Sequence, residues 1–577
     1  MNTMRSIQSV IIMAFALCMI SCSDNDLSKN ELQTEAPKLI STKPEQSTQL
    51  KAGPDTLSLL FDKNIFFSTA NTTQVTVNDL PVGSCAVIGS DSALTITADI
   101  PAADTITLHI PSNLVYGPGN VPAGEITVKW KGSPLLLTPD ISNPAATEEA
   151  KALYKLLYDN YGTKIFSGAM ANINWNTEGA DQIYQSTGEY PAISCFDYIH
   201  IPYSGQNWID YDDLTPVTDW HNKGGIVAAM WHWLVPVQGL SADRIAMPAD
   251  WTGYLQLTDA ASKAVLSKAK AGDKIIVHYH HAGPEAQASF KNANWNGLTD
   301  DNNLSYEYFN IGTGYATYGK ATDTGATFEL TLDDKLAQEI RNGLIISGKD
   351  YTVTSVNYQA SGTEEMTYNP ESTTFDCSKV LVEGTLENKT MIRDLSEMAS
   401  RLKALQDKGV AVLWRPLHEA SGNTELMSGG KAWFWWGAAG AETFKQLWQY
   451  MFTYFRHQGV NNLVWVWTGS DYDSNWYPGN DYVDIVGADI YNNSDATNIA
   501  STFSKMQRTY PTKMITLSEC GNIAGIGDIW NAGGNWSWHM PWYGNYSDGM
   551  PQASDNWWKD AMNRNDVIKL KDLQQQP

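Results

Sequence analysis

The spacing of apolar residues changes character along this chain. Between residues 36 and 132, short runs alternate apolar and polar side chains. Examples are Thr56-Leu57-Ser58-Leu59-Leu60-Phe61, Val75-Thr76-Val77, Ala93-Leu94-Thr95-Ile96-Thr97 and Thr105-Ile106-Thr107-Leu108-His109-Ile110. Gly, Pro, Asn and Asp separate them, and about seven strands so spaced predict a β-sandwich of immunoglobulin type. From Ser133 onward, wholly apolar runs alternate with amphipathic ones. The runs at 164–168, 191–196, 225–231, 410–414, 463–467, 483–488, 514–518 and 536–540 predict buried strands. Helical spacing at 147–161, 390–408, 441–458 and 556–573 predicts helices between them. The sum is a multidomain chain whose largest part, 133–577, is a (β/α)8 TIM barrel.

One stretch interrupts that alternation. Between 239 and 358 the pattern returns to strands, as in Lys274-Ile275-Ile276-Val277-His278-Tyr279, residues 326–332 and Tyr351-Thr352-Val353-Thr354-Ser355-Val356. A structureless loop of that length is implausible. The segment therefore predicts a second, jelly-roll-like β-sandwich inserted after the third barrel strand, on the active-site face. It resembles the jelly-roll modules that accompany polysaccharide hydrolases, a resemblance that implies either carbohydrate binding or a purely structural cap.

The amino terminus lies outside this scheme. Arg5 precedes an apolar run at 10–20 that is too short to span a bilayer and has the form of a secretory signal, here residues 1–21. Met19-Ile20-Ser21-Cys22 resembles a bacterial lipobox, which implies that Cys22 carries lipid; the plainer alternative is an ordinary signal with an incidental cysteine. Polar residues 22–35 read as a linker. Ser23-Asp24-Asn25-Asp26 resembles a surface-export signal, so the expected location is an outer-membrane lipoprotein on the cell surface or the periplasmic face.

Composition narrows the ligand. The 577 residues carry a formal charge of -24, which argues against nucleic acid and suits a neutral or cationic ligand. Trp occurs 22 times and aromatic residues make up 11% of the chain. Several large cores account for half of the Trp residues or more, while sugars use exposed aromatic faces directly. Of six cysteines, Cys18 and Cys22 belong to the signal. Cys85, Cys195, Cys377 and Cys520 have neither metal nor disulfide spacing; a Cys195–Cys520 bridge between barrel strands is one option and buried free thiols the more economical one. His278, His280 and His281 cluster without an acidic or Cys partner at ligand spacing, so no metal is expected there.

The chemistry concentrates at two strand ends. Leu413-Trp414-Arg415-Pro416-Leu417-His418-Glu419 and Ile515-Thr516-Leu517-Ser518-Glu519-Cys520-Gly521 each lead an apolar strand into a glutamate. Glu is rarely buried unless something pairs with it or uses it. Each alone reads equally well as a strand leaving for solvent. At the carboxyl ends of barrel strands four and seven, together, they form a two-carboxylate site.

The surrounding motifs carry a resemblance. Trp414-Arg415-Pro416-Leu417-His418-Glu419, followed by Trp433-Phe434-Trp435-Trp436-Gly437, is similar to the acid/base signature of glycoside hydrolase family 26, whose commonest members are β-mannanases. Tyr477-Pro478-Gly479, Asp481-Tyr482-Val483-Asp484-Ile485-Val486-Gly487, Asp489-Ile490-Tyr491 and Ser518-Glu519-Cys520-Gly521 match in order. The stretch 420–432 departs from the family pattern, in which the aromatic run follows the glutamate more closely. The resemblance implies Glu419 as general acid/base and Glu519 as nucleophile. His418 then neighbours the acid, Tyr491 bonds the nucleophile, and Asp489 supports the acid side. His232 and Trp433 contact sugar, with Trp536 or Trp538 as a stacking platform. Arg415 supplies positive charge near the pair or forms a plain interior ion pair.

The resulting expectation is a retaining endo-β-1,4-mannanase acting on mannan or galactomannan, with no metal or organic cofactor. It would be a monomer that meets the membrane only through its anchor and binds no nucleic acid. Within the family the alternatives are a β-1,3-xylanase or a mixed-linkage β-glucanase. From another class, the alternative is a non-catalytic surface glycan-binding lipoprotein with a decayed barrel, against which the presence of both glutamates weighs.

Overall fold

The computed structural model describes residues 35–88, 92–101, 103–133, 136–170, 175–201, 209–280, 282–311, 326–544 and 552–574. The signal segment, Cys22, the linker up to residue 34 and His281 lie outside the described residues. The described residues fall into two compact units: those within 35–48, 55–98 and 107–130 form one, and those within 49–54, 99–106 and 131–574 the other.

The first unit is strand-rich. Leu39–Lys43, Gly53–Phe61, Ala93–Ile100 and Ser84–Ile88 lie in that order in one sheet, and Ile126–Lys131, Thr105–Ile110, Thr76–Val77 and Leu80–Pro81 in another. Val121–Pro122, Val115–Gly117 and Phe66–Phe67 make a third, smaller sheet. The alternation seen in the sequence is the reason: Leu94, Ile96, Ala98 and Ile100 are buried while their neighbours are not.

The second unit contains a closed parallel barrel. Its strands are β1 (Ile165–Met170), β2 (Ile193–Asp197), β3 (Ile226–Trp231), β4 (Val412–Pro416), β5 (Leu463–Gly469), β6 (Ile485–Asn493), β7 (Met514–Ile523) and β8 (Trp538–Pro541). Each pairs with the next, and β8 and β2 both pair with β1 to close the ring. Parallel strands covered on both faces need apolar side chains on both, which explains the unbroken apolar runs. One face points inward: Cys195, Met230, Leu413, Val466 and Ile485 share a core with Ala150, Leu153, Tyr154 and Leu157 of helix α1 (Glu148–Asn160). That helix is capped by Thr147 and closes the end of the barrel where the strands begin. The other face packs under α2 (Glu178–Thr187), α3 (Thr215–Asn222), α4 (Leu386–Gln406), α5 (Ala441–His457), α6 (Ala496–Thr509), α7 (Ile526–Asn531) and α8 (Asp555–Asn563).

The helix expected at 556–573 is shorter than its pattern. It stops at Asn563, Arg564 turns to bond Asp566, and Val567–Ile568 joins β1 as an added parallel strand. Two β-branched residues after an Asn-Asp turn win over the helical spacing around them.

The segment after β3 is indeed a sandwich. Gly239–Ser241, Tyr351–Gln359, Lys274–His280 and Ala326–Thr331 form one sheet, with Ile245–Met247 beside the second of these strands. Tyr254–Leu257, Leu344–Lys349, Gln287–Asn292 and Phe309–Asn310 form the other. Both contribute to one separate core that includes Leu255, Val277, Phe290, Phe328, Ile346 and Val356. Gly239 and Asn357 are register partners, so the insert leaves and rejoins the barrel at neighbouring backbone positions. His278 does have an acidic partner here: Nε2 lies 2.7 Å from Glu365 Oε1, and Nδ1 lies 3.3 Å from Thr327 Oγ1. Cys85, Cys195, Cys377 and Cys520 are buried free thiols, so the Cys195–Cys520 bridge does not form.

Candidate active site

At the open end of the barrel, four strands converge on one guanidinium. Arg415 is buried on β4, donates from Nε to Thr468 Oγ1 of β5 at 2.8 Å and from Nη2 to Asp489 of β6, and lies 2.9 Å from Glu519 Oε2 of β7. Burying a cation is costly unless carboxylates answer it, and here two do.

A bulge makes this convergence possible. Ala488 pairs with Leu517, but the next pair is Asp489 with Glu519, so Ser518 is skipped. In a regular strand Ser518 and Glu519 would face opposite sides. With the bulge, Ser518 Oγ donates to Asp489 Oδ1 at 2.8 Å while Glu519 turns into the same cluster and accepts from the Tyr491 hydroxyl. Gly487 is required beneath them, because a Cβ there would stand 2.3 Å from Ser518 Oγ.

Glu419 arrives differently. β4 ends at Pro416, three residues earlier, and Leu417 and Glu419 both take left-handed backbone at φ +50. Such a conformation is rare for non-glycine residues and folds the chain back over the barrel mouth. One carboxylate oxygen each from Glu419, Asp489 and Glu519 lies within 4.8 Å of the others. Burial holds Glu419 well above the usual carboxylate range, and the charges of Asp489 and Glu519 push the same way against Arg415. Asp489 is pushed up to about 7, chiefly by burial, with Arg415 and Ser518 opposing. The three oxygens also have the spacing that would surround a cation, but Arg415 already supplies positive charge between two of them.

Two histidines line the adjoining wall. His232 Nδ1 lies 2.6 Å from Asp197 Oδ2 at the end of β2, which fixes the ring. Its centroid is 4.6 Å from that of His418, edge to face. His418 is held well below the usual imidazole range by burial, by Arg415 and by His232, so it is neutral. Its carbonyl accepts from Trp436 Nε1 at 2.9 Å, and Phe434 packs against both imidazoles and stacks on Trp436.

Glu419, Glu519, Arg415, Asp489 and Tyr491 thus form one cluster with His418 and His232 beside it. Trp433 is 46% exposed, next to Phe434, where it lines a hollow of about 370 Å³ with Asn369 and with Asn423 and Lys431 of the lengthened loop. Trp536 and Trp538 are not at the mouth. Trp536 is fully buried against Phe503 in the helix layer, and Trp538 is buried in the barrel interior. The chain reaches the open end only past Pro541, where Trp542 stands with its ring 5.9 Å from His232. Asp197 and Trp542 were both missed. Asp197 ends an apolar run as the two glutamates do, a signal available in the sequence. Trp542 lies beyond the predicted end of β8 and gave none.

The description "Glycosyl hydrolase family 26" matches residues 142–287 and 311–570, more than half of the chain. The chain belongs to glycosyl hydrolase family 26. A mannan endo-1,4-beta-mannosidase of Thermothelomyces thermophilus is 25% identical over 520 residues, 86% of this chain and 80% of that protein. One from Bacillus subtilis strain 168 is 36% identical over 125 residues, 20% of this chain and 32% of its own length. Among solved structures, the family 26 domain of the Prevotella bryantii endo-beta-mannanase/endo-beta-glucanase is 33% identical, with a TM-score of 0.51 over 76% of this chain and 100% of that one. A ruminal family 26 endo-beta-1,4-mannanase, 19% identical with a TM-score of 0.51, covers 91% of both chains and shares the fold.

Proposed function

We propose that this glycoside hydrolase is a retaining endo-β-1,4-mannanase that cleaves mannan or galactomannan by double displacement. The names of its relatives support the substrate. The mechanism rests on one observation: carboxylate oxygens of Glu419 and Glu519 within 4.8 Å, close to the separation of about 5 to 5.5 Å used by retaining enzymes and short of the gap an inverting enzyme leaves for water. Glu519 attacks the anomeric carbon and forms a covalent glycosyl ester. The bond to the leaving oxygen breaks as Glu419 gives that oxygen its proton. Glu419, now a carboxylate, takes a proton from water; the water oxygen bonds the anomeric carbon, and Glu519 departs as carboxylate. Arg415 and Tyr491 hold Glu519 as the attacking anion, Trp542 offers a sugar its flat face, and His232, His418 and Trp433 contact neighbouring rings.

A reducing-sugar assay on mannan tests this directly. Wild type is expected to release a ladder of mannooligosaccharides, and Glu519→Ala, which has no nucleophile, to fall by orders of magnitude in rate while still binding. Release from xylan or glucan alone would remove the substrate assignment; a first product of inverted configuration, seen by NMR, would remove double displacement. We also propose that Cys22 carries lipid and tethers the enzyme to the outer membrane, the strand-rich first unit being an immunoglobulin-like spacer. Cys22→Ala should then move the protein from the membrane fraction to the aqueous one.

A further inference from the structure

The inserted sandwich has one face that packing does not explain. In its four-stranded sheet, Leu255, Leu257, Ala288, Phe290, Leu344 and Ile346 face the core. Tyr254 pairs with Ser347, and Ser347 with Ser289, so these three side chains stand in one row on the opposite, outer face. Ser289 and Ser347 are buried, and their hydroxyls have no hydrogen-bond partner among the described residues. Buried hydroxyls are normally bonded, so each such group needs a reason.

Large rings flank this row. Tyr254 is 50% exposed, Trp295 45% and Tyr308 64%. Tyr254 meets Trp295 with centroids 5.2 Å apart, and Trp251 meets Tyr308 at 5.3 Å. Trp251, Trp295 and Tyr308 all hold left-handed backbone, at φ +65, +67 and +59. That conformation is an outlier for bulky residues. Trp175 shares it, but there the ring is buried against Phe196, Tyr198 and Tyr211, so packing compensates. Trp295 and Tyr308 stay largely exposed despite their ring contacts and, for Trp295, a Lys291 Nζ 5.5 Å from the ring centroid. Ser289, Trp295 and Tyr308 also fall in 288–310, outside the part that matches the family.

We propose that this outer face is a second saccharide-binding surface, which takes a neutral β-linked polysaccharide of the class the barrel cleaves. The row itself carries no charge, which suits a neutral chain; Lys291, two residues along the strand from Ser289, stands over the Trp295 ring. Rings supply flat apolar faces on which sugars stack, while the two unpaired hydroxyls lie buried in the sheet beneath them. Four strands about 4.8 Å apart span about 14 Å, room for a short run of sugars. The choice of glycan rests on the mannanase reading above; the presence of a saccharide site does not.

The test uses the full chain in affinity gels and on columns of mannan, glucomannan, β-glucan and xylan. It compares wild type with Tyr254→Ala/Trp295→Ala/Tyr308→Ala, and hydrolysis of a short mannooligosaccharide is measured in parallel. The variant is expected to lose retention by about tenfold or more, with hydrolysis of the short substrate unchanged. Should the triple variant fail to fold, Trp295→Ala alone carries the comparison. Retention on glucan or xylan in place of mannan, lost in the variant, upholds the surface and overturns only the choice of glycan. Equal retention of wild type and variant on every glycan, or none by wild type, overturns the surface.

Discussion

Arg415 sits among three carboxyl groups that would otherwise repel one another, and their unequal distances from it divide their roles. Asp489 and Glu519 touch it, whereas Glu419 is reached from the other side by a left-handed turn and keeps its proton. Asp489, pushed up to about 7, changes charge in the neutral range, so the cluster titrates as a unit. The sign of its influence is fixed: an ionised Asp489 raises Glu419, and the proposed double displacement starts from a protonated Glu419. Activity therefore falls as pH rises through the Glu419 value. Asp489→Asn removes a charge that raises it, so the alkaline limb of the kcat/KM profile should move to lower pH and the rate at neutral pH should fall by roughly 10². A limb that stays in place or moves to higher pH would show that Asp489 does not act on the acid. At this scale much was legible in the sequence. Glu419 and Glu519 stood out because a carboxylate ending an apolar run has no packing reason to be there. Trp536 and Trp538 misled because the sequence does not show where β8 meets the open end.

Strands were readable because burial on both faces leaves an unbroken apolar run, and helices because one face stays polar. Bulges were not readable. The skip at Ser518 changes which side Glu519 faces, and nothing in Thr516-Leu517-Ser518-Glu519 announces it. The same holds for the end of α8, where Val567–Ile568 left the helix for the barrel edge. β8 carries an element-level liability. His539 is fully buried against Trp557 and Trp558 of α8, neither ring nitrogen has a partner among the described residues, and burial pushes its imidazole down to about 3. Below its unfolded value of about 6.5, the unfolded chain takes up a proton that the folded chain refuses. Stability then declines as pH falls toward 3, by about 1.4 kcal/mol per pH unit for this group. Denaturant titrations of His539→Phe should show the loss between pH 6.5 and 5 reduced by about 2 kcal/mol relative to wild type. An unchanged loss would assign the acid sensitivity elsewhere.

For the molecule as a whole, the formal charge of -24 makes a clear distinction. A highly charged protein acting on a charged polymer is steered or repelled in a salt-dependent way, whereas a neutral glycan feels none of that field. The kcat/KM for mannan is therefore expected to change by less than about twofold between low and physiological ionic strength; a steep dependence would point to an ionic substrate. The barrel and the strand-rich region before it were visible from periodicity, since a change of apolar spacing marks a change of architecture. The insert's attachment was not, because register partners more than a hundred positions apart leave no local pattern. Gly239 beside Asn357 gives that module a narrow neck. A segment that enters and leaves at neighbouring backbone positions need not be threaded through its host, so it offers protein engineers a socket for grafting other modules onto the same barrel.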